Sequence, residues 1–324
     1  MDTDTRNQLL ADIASSYFIE KKTQAEIAQV YGYSRSAISR ILSEAEELGI
    51  IEINIKYPLL RDTEMERRLQ EKFPLKSAYV IKSGSTDYSR NISLVGRLGA
   101  NRIQEDLIDN RIVGIGWGTS LFELVNALPI LQRKNIQVIQ VIGATGGKSD
   151  TKVDGPDLAA LLASKLNAQH QFLHSPLFLD SENACNSLKS QKQIKSTLEL
   201  GYQSNIVLLG IGTIDADPVY SSLFRSGFID KQEVEAIKNQ GGVANFCGVI
   251  LDKNGNVLKN ELNRRTMAVD LERLRFNGCK LIGIAAGSNK SQAIQAVLQG
   301  SWLDVLFTDS LTAKQVLKLQ SVEV

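Results

Sequence analysis

The segment Gly114-Ile115-Gly116-Trp117-Gly118-Thr119-Ser120 sets three glycines and two hydroxyls between an apolar run and the start of a helical pattern. Glycines let backbone N–H groups approach an anion closely, and a helix N-terminus adds its dipole. With Thr119 and Ser120 as hydroxyl donors, the loop suits a phosphate; a plain tight turn uses the same residues. No GK[ST] follows and the spacing is not GxGxxG, so neither a P-loop nor a dinucleotide fold is indicated. Ala285-Ala286-Gly287-Ser288-Asn289-Lys290 repeats the arrangement at another strand end. A lysine at a helix start opposes the dipole unless an anion fills the gap, the alternative being a solvated side chain. Leu209-Gly210-Ile211-Gly212-Thr213 is a third glycine-rich strand end, and Thr145-Gly146-Gly147-Lys148 reads as a flexible turn.

A different chemistry lies near the chain start. Arg35, Ser36, Ser39, Arg40 and Ser43 fall on one face of a helix whose other face is Ala37, Ile38, Ile41, Leu42 and Ala45. Arg pairs bidentately with guanine in the major groove, and Ser bonds base edges or phosphate. Support for catalysis is thin. His170 and His174 have no HExxH context, no GxSxG elbow is present, and no metal site is expected. Asp215, Asp217, Asp252, Asp270 and Asp309 lie near strand ends or turns, but none is matched with a base.

The elements that position these residues follow from periodicity and caps. Leu9, Leu10, Ile13, Ala14, Tyr17 and Phe18 make one buried helix stripe. Thr23 and Glu26 have capping-box spacing for a second helix, with Thr23 and Gln24 at its start, and Gly32 ends it. Ser34 is the N-cap of a third helix running to Gly49. Two short helices about a glycine turn, the second with Arg and Ser near its start, make a helix-turn-helix. Ile50, Ile51, Ile53 and Ile55 read as a strand, one arm of a wing. Tyr57-Pro58 breaks the pattern, and Arg61 to Phe73, with Met65 and Leu69 as its apolar line, reads as a connector that also helps to pair subunits. The expected organisation is a winged-type helix-turn-helix over 1–56, a connector over 57–76 and an effector domain over 77–324.

From Ser77 onward, strands at 78–81, 112–115, 137–142, 206–211, 243–251, 281–285 and 305–308 alternate with amphipathic helices. Short Val/Ile/Leu runs spaced this way predict an α/β domain with a mainly parallel, Rossmann-like sheet covered on both faces. Ligands in such sheets sit at the carboxyl ends of the strands, where the glycine loops fall.

The chain has 324 residues, 43% hydrophobic and 23% charged, which is globular composition and suggests two domains. It contains no apolar run long enough for a membrane span. Its first twenty residues carry Asp2, Asp4, Asp12 and Glu20, so no secretory signal is read there. Cys185, Cys247 and Cys279 are far apart and odd in number, as in a reduced, cytoplasmic protein. Net charge is +1, and residues 1–56 carry six basic against nine acidic side chains, a net of −3. Phosphate neutralisation supplies much of DNA affinity. A module this acidic is therefore expected to bind as an oligomer that sums weak contacts over repeated half-sites.

The order and spacing of these motifs resemble the SorC family of bacterial sugar-responsive transcription regulators. The matching residues are Thr23-Gln24-Ala25-Glu26-Ile27-Ala28, Ser34-Arg35 and Ile38-Ser39-Arg40-Ile41-Leu42 in the first part. In the second they are Gly116-Trp117-Gly118-Thr119, Gly210-Ile211-Gly212, Arg225-Ser226-Gly227, Gly287-Ser288-Asn289-Lys290 and Thr308-Asp309. The resemblance implies an effector domain with a fold similar to ribose-5-phosphate isomerase and glucosamine-6-phosphate deaminase. It implies a double-stranded DNA operator and a phosphorylated sugar or polyol effector as partners, in a homodimer or homotetramer with no cofactor. Gly118, Thr119 and Lys290 would hold the phosphate, with Gly116, Ser120, Gly143, Gly210, Gly212, Asn245, Gly287 and Asp309 completing the effector site. Many relatives carry an acid where this chain has Asn245, which keeps an acceptor, gains donors and loses the charge. Val141-Ile142-Gly143 offers no lysine amine, so capture of the ligand is expected to be reversible. A sugar-phosphate isomerase or deaminase is the alternative function, because fold does not fix activity.

Overall fold

The computed structural model describes residues 3–51, 58–146, 151–214, 223, 227 and 229–322, and the chain divides into two compact units, 1–58 and 59–324. Ile53 and Ile55 of the expected wing, Gly147, Lys148, Asp215, Asp217, Arg225 and Ser226 lie outside the described residues.

The described part of the first unit is three helices, α1 (Thr3–Phe18), α2 (Gln24–Tyr31) and α3 (Arg35–Glu47). The Thr23/Glu26 capping box forms, and Gly32 ends α2 at φ 69°. Ser34 Oγ accepts from the N–H of Ala37 at 3.1 Å and so starts α3. Leu10 and Ile13 of α1, Ile27 of α2 and Ile38, Ile41 and Ala45 of α3 close one small core. Burial of each large aliphatic side chain in it contributes about 1.5–3 kcal/mol.

The second unit is built on seven parallel strands, β1 (Ser77–Ile81), β2 (Ile112–Ile115), β3 (Gln137–Gln140), β4 (Gln169–Gln171), β5 (Ile206–Thr213), β8 (Lys280–Ile284) and β9 (Val305–Asp309), in the order β1-β9-β8-β5-β2-β3-β4. An antiparallel hairpin, β6 (Gly242–Phe246) and β7 (Val249–Asp252), pairs through β6 onto the far end of β5. This corrects the reading of 243–251 as one strand. Cys247 at φ 52° and Gly248 at φ 81° make a two-residue turn inside what looks like a single apolar run.

Helix α4 (Thr63–Lys72), read as a connector, packs within the second unit: its Leu69, with Phe73 just beyond it, belongs to the main core. The carboxylate of Glu66 takes the N–H of Val80 and the Arg61 guanidinium, which fixes this helix to β1. Helix α5 (Tyr88–Ile103) lies on α6 (Thr119–Ala127), and a Cβ at Gly96 would fall 2.7 Å from the Glu123 Cβ. Any larger residue there would push α6 away, and α6 is the helix that begins at the phosphate-type loop.

Candidate functional site

Strand β2 leads outward to β3 and β4, while its other neighbour β5 leads to β8 and β9. The order reverses between β2 and β5, and ligands of open α/β sheets bind at such a point, beyond the carboxyl ends of the strands. A crevice opens there and encloses about 520 Å³ of non-protein space, its open mouth included. Gly116 to Ser120 follow β2, Leu209 to Thr213 end β5, Asn245, Cys247 and Gly248 come from the hairpin, and Lys290 follows β8.

Each wall has a local cause. Gly118 sits at φ 116°, a conformation essentially reserved for glycine, and turns the chain from β2 into α6. No side chain caps α6, and its first residues, Thr119 and Ser120, line the crevice. A Cβ at Gly210 would lie 3.2 Å from the Trp117 carbonyl oxygen, so glycine lets the two loops close on each other. The register sets Gly212 opposite Asn245, which is 7% exposed. The Asn245 amide Nδ2 is buried with no hydrogen-bond partner among the described residues. Lys290 ends the turn Ser288–Lys290, is 6% exposed, and holds its ammonium 5.9 Å from the centre of the Tyr88 ring. Burial, with Asp270 nearby, pushes the Cys247 thiol up to about 12, so it lines the crevice as a neutral group. Among the described residues, no carboxylate or imidazole lines it.

The remaining residues expected to touch an effector stand behind the crevice or beside it. Asp309 is fully buried and accepts from the N–H groups of Gly287 and Thr312 and from the Thr312 hydroxyl. Gly287 and Asp309 line a separate, smaller hollow beside Tyr88. Gly143 donates its N–H to the Met267 carbonyl at 2.8 Å, and Ile142 is the residue of that strand end that reaches the crevice. His174 lines another cavity with Phe172 and Pro176, and His170 stacks obliquely against Phe172. The crevice residues that sequence reasoning did not assign to the site include Trp117, Thr213, Cys247 and Gly248. The signal for the last two is the turn hidden in an apolar run.

In the first unit, Arg35, Ser36, Ser39 and Arg40 are all exposed on one face of α3. Among the described residues neither guanidinium is tied to a carboxylate. Glu44, the first acid along α3, is gripped by both arms of Arg6 at 3.1 and 2.5 Å, which holds its carboxyl below the usual range. One of the acids counted against DNA binding is thus paired within the unit, although the net charge of −3 is unchanged by it. Thr23 and Ser34 use their hydroxyls as helix caps; Gln24 is half-buried at the start of α2.

A helix-turn-helix unit and a Rossmann-like sheet domain with its crevice at the switch point define a class, the DNA-binding transcription regulator with a sugar-binding domain. The family model described as “Putative sugar-binding domain” matches residues 57–318, and that for Sigma-70, region 4, matches residues 11–47. This chain belongs to the SorC family of transcription regulators. It is 29% identical to the deoxyribonucleoside regulator of Bacillus subtilis, over 95% of this chain and 97% of that one. It is 28% identical to the sorbitol operon regulator of Klebsiella pneumoniae, over 98% and 100% of the two chains. The crystal structure of that full-length regulator, SorC, superimposes with a TM-score of 0.72 at 27% identity, covering 97% of this chain and all of the other. The erythritol catabolism regulatory protein of Brucella abortus is 26% identical over 97% of this chain and 98% of its own length.

Proposed function

We propose that this regulator controls a carbohydrate utilisation operon and is itself controlled by reversible binding of a phosphorylated sugar or polyol in the β2/β5 crevice. The observation that carries the reading is the meeting, in one crevice, of an uncapped helix start, a buried lysine and an amide nitrogen without a partner. A phosphate suits the first two, and a sugar oxygen suits the third. Gly116, Gly118, Thr119, Ser120, Gly210, Gly212, Asn245 and Lys290 are the proposed contacts; Gly143, Gly287 and Asp309 support them. Gln24, Arg35, Ser36, Ser39 and Arg40 are the proposed DNA contacts, with Thr23 and Ser34 holding their helices. The protein works as a homodimer or homotetramer, because half-site spacing must match the distance between recognition helices. The ligand acts by biasing how subunits pair.

The enzyme alternative lacks the groups that proton transfer needs, since no described residue lining the crevice is a carboxylate or histidine. The test is a thermal-shift panel of sugar and polyol phosphates on the wild type and on Lys290→Ala. A phosphorylated ligand should raise the melting temperature of the wild type and raise that of the variant much less. Equal stabilisation of both removes Lys290 from the phosphate site, and turnover of a stabilising ligand favours the enzyme.

A further inference from the structure

We infer that Asn245 selects a ligand that presents a proton-free oxygen, a carboxylate or carbonyl, in addition to its phosphate. The inference rests on the phosphorylated-ligand reading above and narrows it from sugars and polyols in general to the phosphates of sugar acids and keto sugars.

The observations concern what the crevice supplies. Asn245 is 7% exposed and lines it, yet its Nδ2 is buried without a hydrogen-bond partner. A buried donor left unpaired costs about 1–3 kcal/mol, so such a group in a binding crevice marks the place of a ligand acceptor. Gly212, opposite in the register, has no side chain to answer it. The other polar side chains at the crevice are the hydroxyls of Thr119, Ser120 and Thr213, the Cys247 thiol and the Lys290 ammonium. Among the described lining residues, no side chain accepts without also being able to donate. Lys290 is their one charged side chain, and the dipole of α6 adds to its sign.

A ligand hydroxyl placed against Asn245 would satisfy Nδ2 with its lone pair and must then place its own proton on a group that also donates, a hydroxyl or the Asn245 amide itself. A carboxylate or carbonyl oxygen has no proton to place. A carboxylate also gains from the positive sign of the crevice, and hydrogen bonds with one charged partner are about twice as strong as neutral ones. An aspartate at 245 would reverse both preferences by accepting from a hydroxyl and repelling a carboxylate.

The test uses matched pairs in isothermal titration of the full chain. Each pair is a phosphorylated aldonic acid of four, five or six carbons and the polyol phosphate made by reducing its carboxylate to CH2OH. In any pair that binds, the acid should bind the wild type about tenfold more tightly than the polyol. Asn245→Asp should reverse that order, and Asn245→Ala should bring the two members to within about threefold. The alanine variant decides the matter if the aspartate variant does not fold. Equal binding of acid and polyol to the wild type, or tighter binding of the polyol, overturns the role of Asn245 and leaves the phosphate reading standing. If no member of any pair binds while inorganic phosphate and other sugar phosphates also fail, the phosphate reading falls and this inference falls with it.

Discussion

Replacing Asp309 by alanine removes a carboxylate that no water reaches and that collects three donors. They are the Gly287 N–H at 3.1 Å, the Thr312 N–H at 3.0 Å and the Thr312 hydroxyl at 2.5 Å. The Gly287 N–H has a second acceptor in the Thr312 Oγ1 at 2.9 Å, so the two Thr312 donors, its N–H and its hydroxyl, are the ones that lose their acceptor. Each bond to a charged acceptor contributes about 1.5–3 kcal/mol, offset by relief from burying the charge, so a net loss of about 3 kcal/mol is expected. For a domain of this size that lowers the melting temperature of the ligand-free protein by roughly 6–12 °C. Asp309→Asn should recover about half of the loss, because its Oδ1 can accept from Thr312 N–H while its Nδ2 donates to the Thr312 hydroxyl. Ligand affinity should fall in both variants, because Gly287 begins the turn that carries Lys290. The assay is a melting curve of each ligand-free variant followed by titration. A ligand-free Asp309→Ala protein that melts within about 2 °C of wild type, with affinity alone reduced, refutes the supporting role and makes Asp309 a ligand contact.

Arg40→Ala should weaken operator binding at least tenfold and relax base preference at one position per half-site, since a bidentate arginine–guanine pair contributes about 1–3 kcal/mol of discrimination; binding-site selection from random duplexes reads both. Glu123, pressed against α5 and half-buried, is pushed above the usual carboxylate range by desolvation, although Ser93 opposes the shift. Its ionised form therefore destabilises the fold at neutral pH, and the penalty disappears as pH falls below the unfolded value near 4.5. Glu123→Gln should melt higher than wild type at pH 7 and lose that advantage toward pH 4, and an unchanged difference between the two pH values contradicts the desolvation argument.

The parallel strands were legible because buried βαβ strands are short, near-continuous apolar runs, as in Ile112–Ile115 and the first three residues of Val305–Asp309. The helix caps at Thr23 and Ser34 were legible for a similar reason, since a cap is a local hydrogen bond between near neighbours in sequence. The β6/β7 hairpin was not, because its turn uses Cys247 at positive φ where Asn or Asp would have signalled it. The place of α4 was hidden too, since a helix with so many charges shows too little apolar surface for its burial to be read from sequence. Leu69 and the Arg61–Glu66 pair decide it through contacts with β1. Among the glycine loops, sequence found the three strand ends but could not tell Lys290, which reaches the crevice, from Asp309, which braces the loop behind it. Both lie after strands, and only the hydrogen bonds of Asp309 to Gly287 and Thr312 separate them.

If the proposed function holds, occupation of the β2/β5 crevice is felt at the proposed DNA face of α3. The direct measurement is operator affinity of the full chain by fluorescence anisotropy, with and without a saturating amount of the phosphate ester that gives the largest thermal shift. Operator affinity should change by at least about tenfold, a coupling of about 1.4 kcal/mol, and Lys290→Ala should abolish that change while keeping ligand-free operator affinity. An operator affinity that is the same with the crevice full and empty would contradict the proposed function.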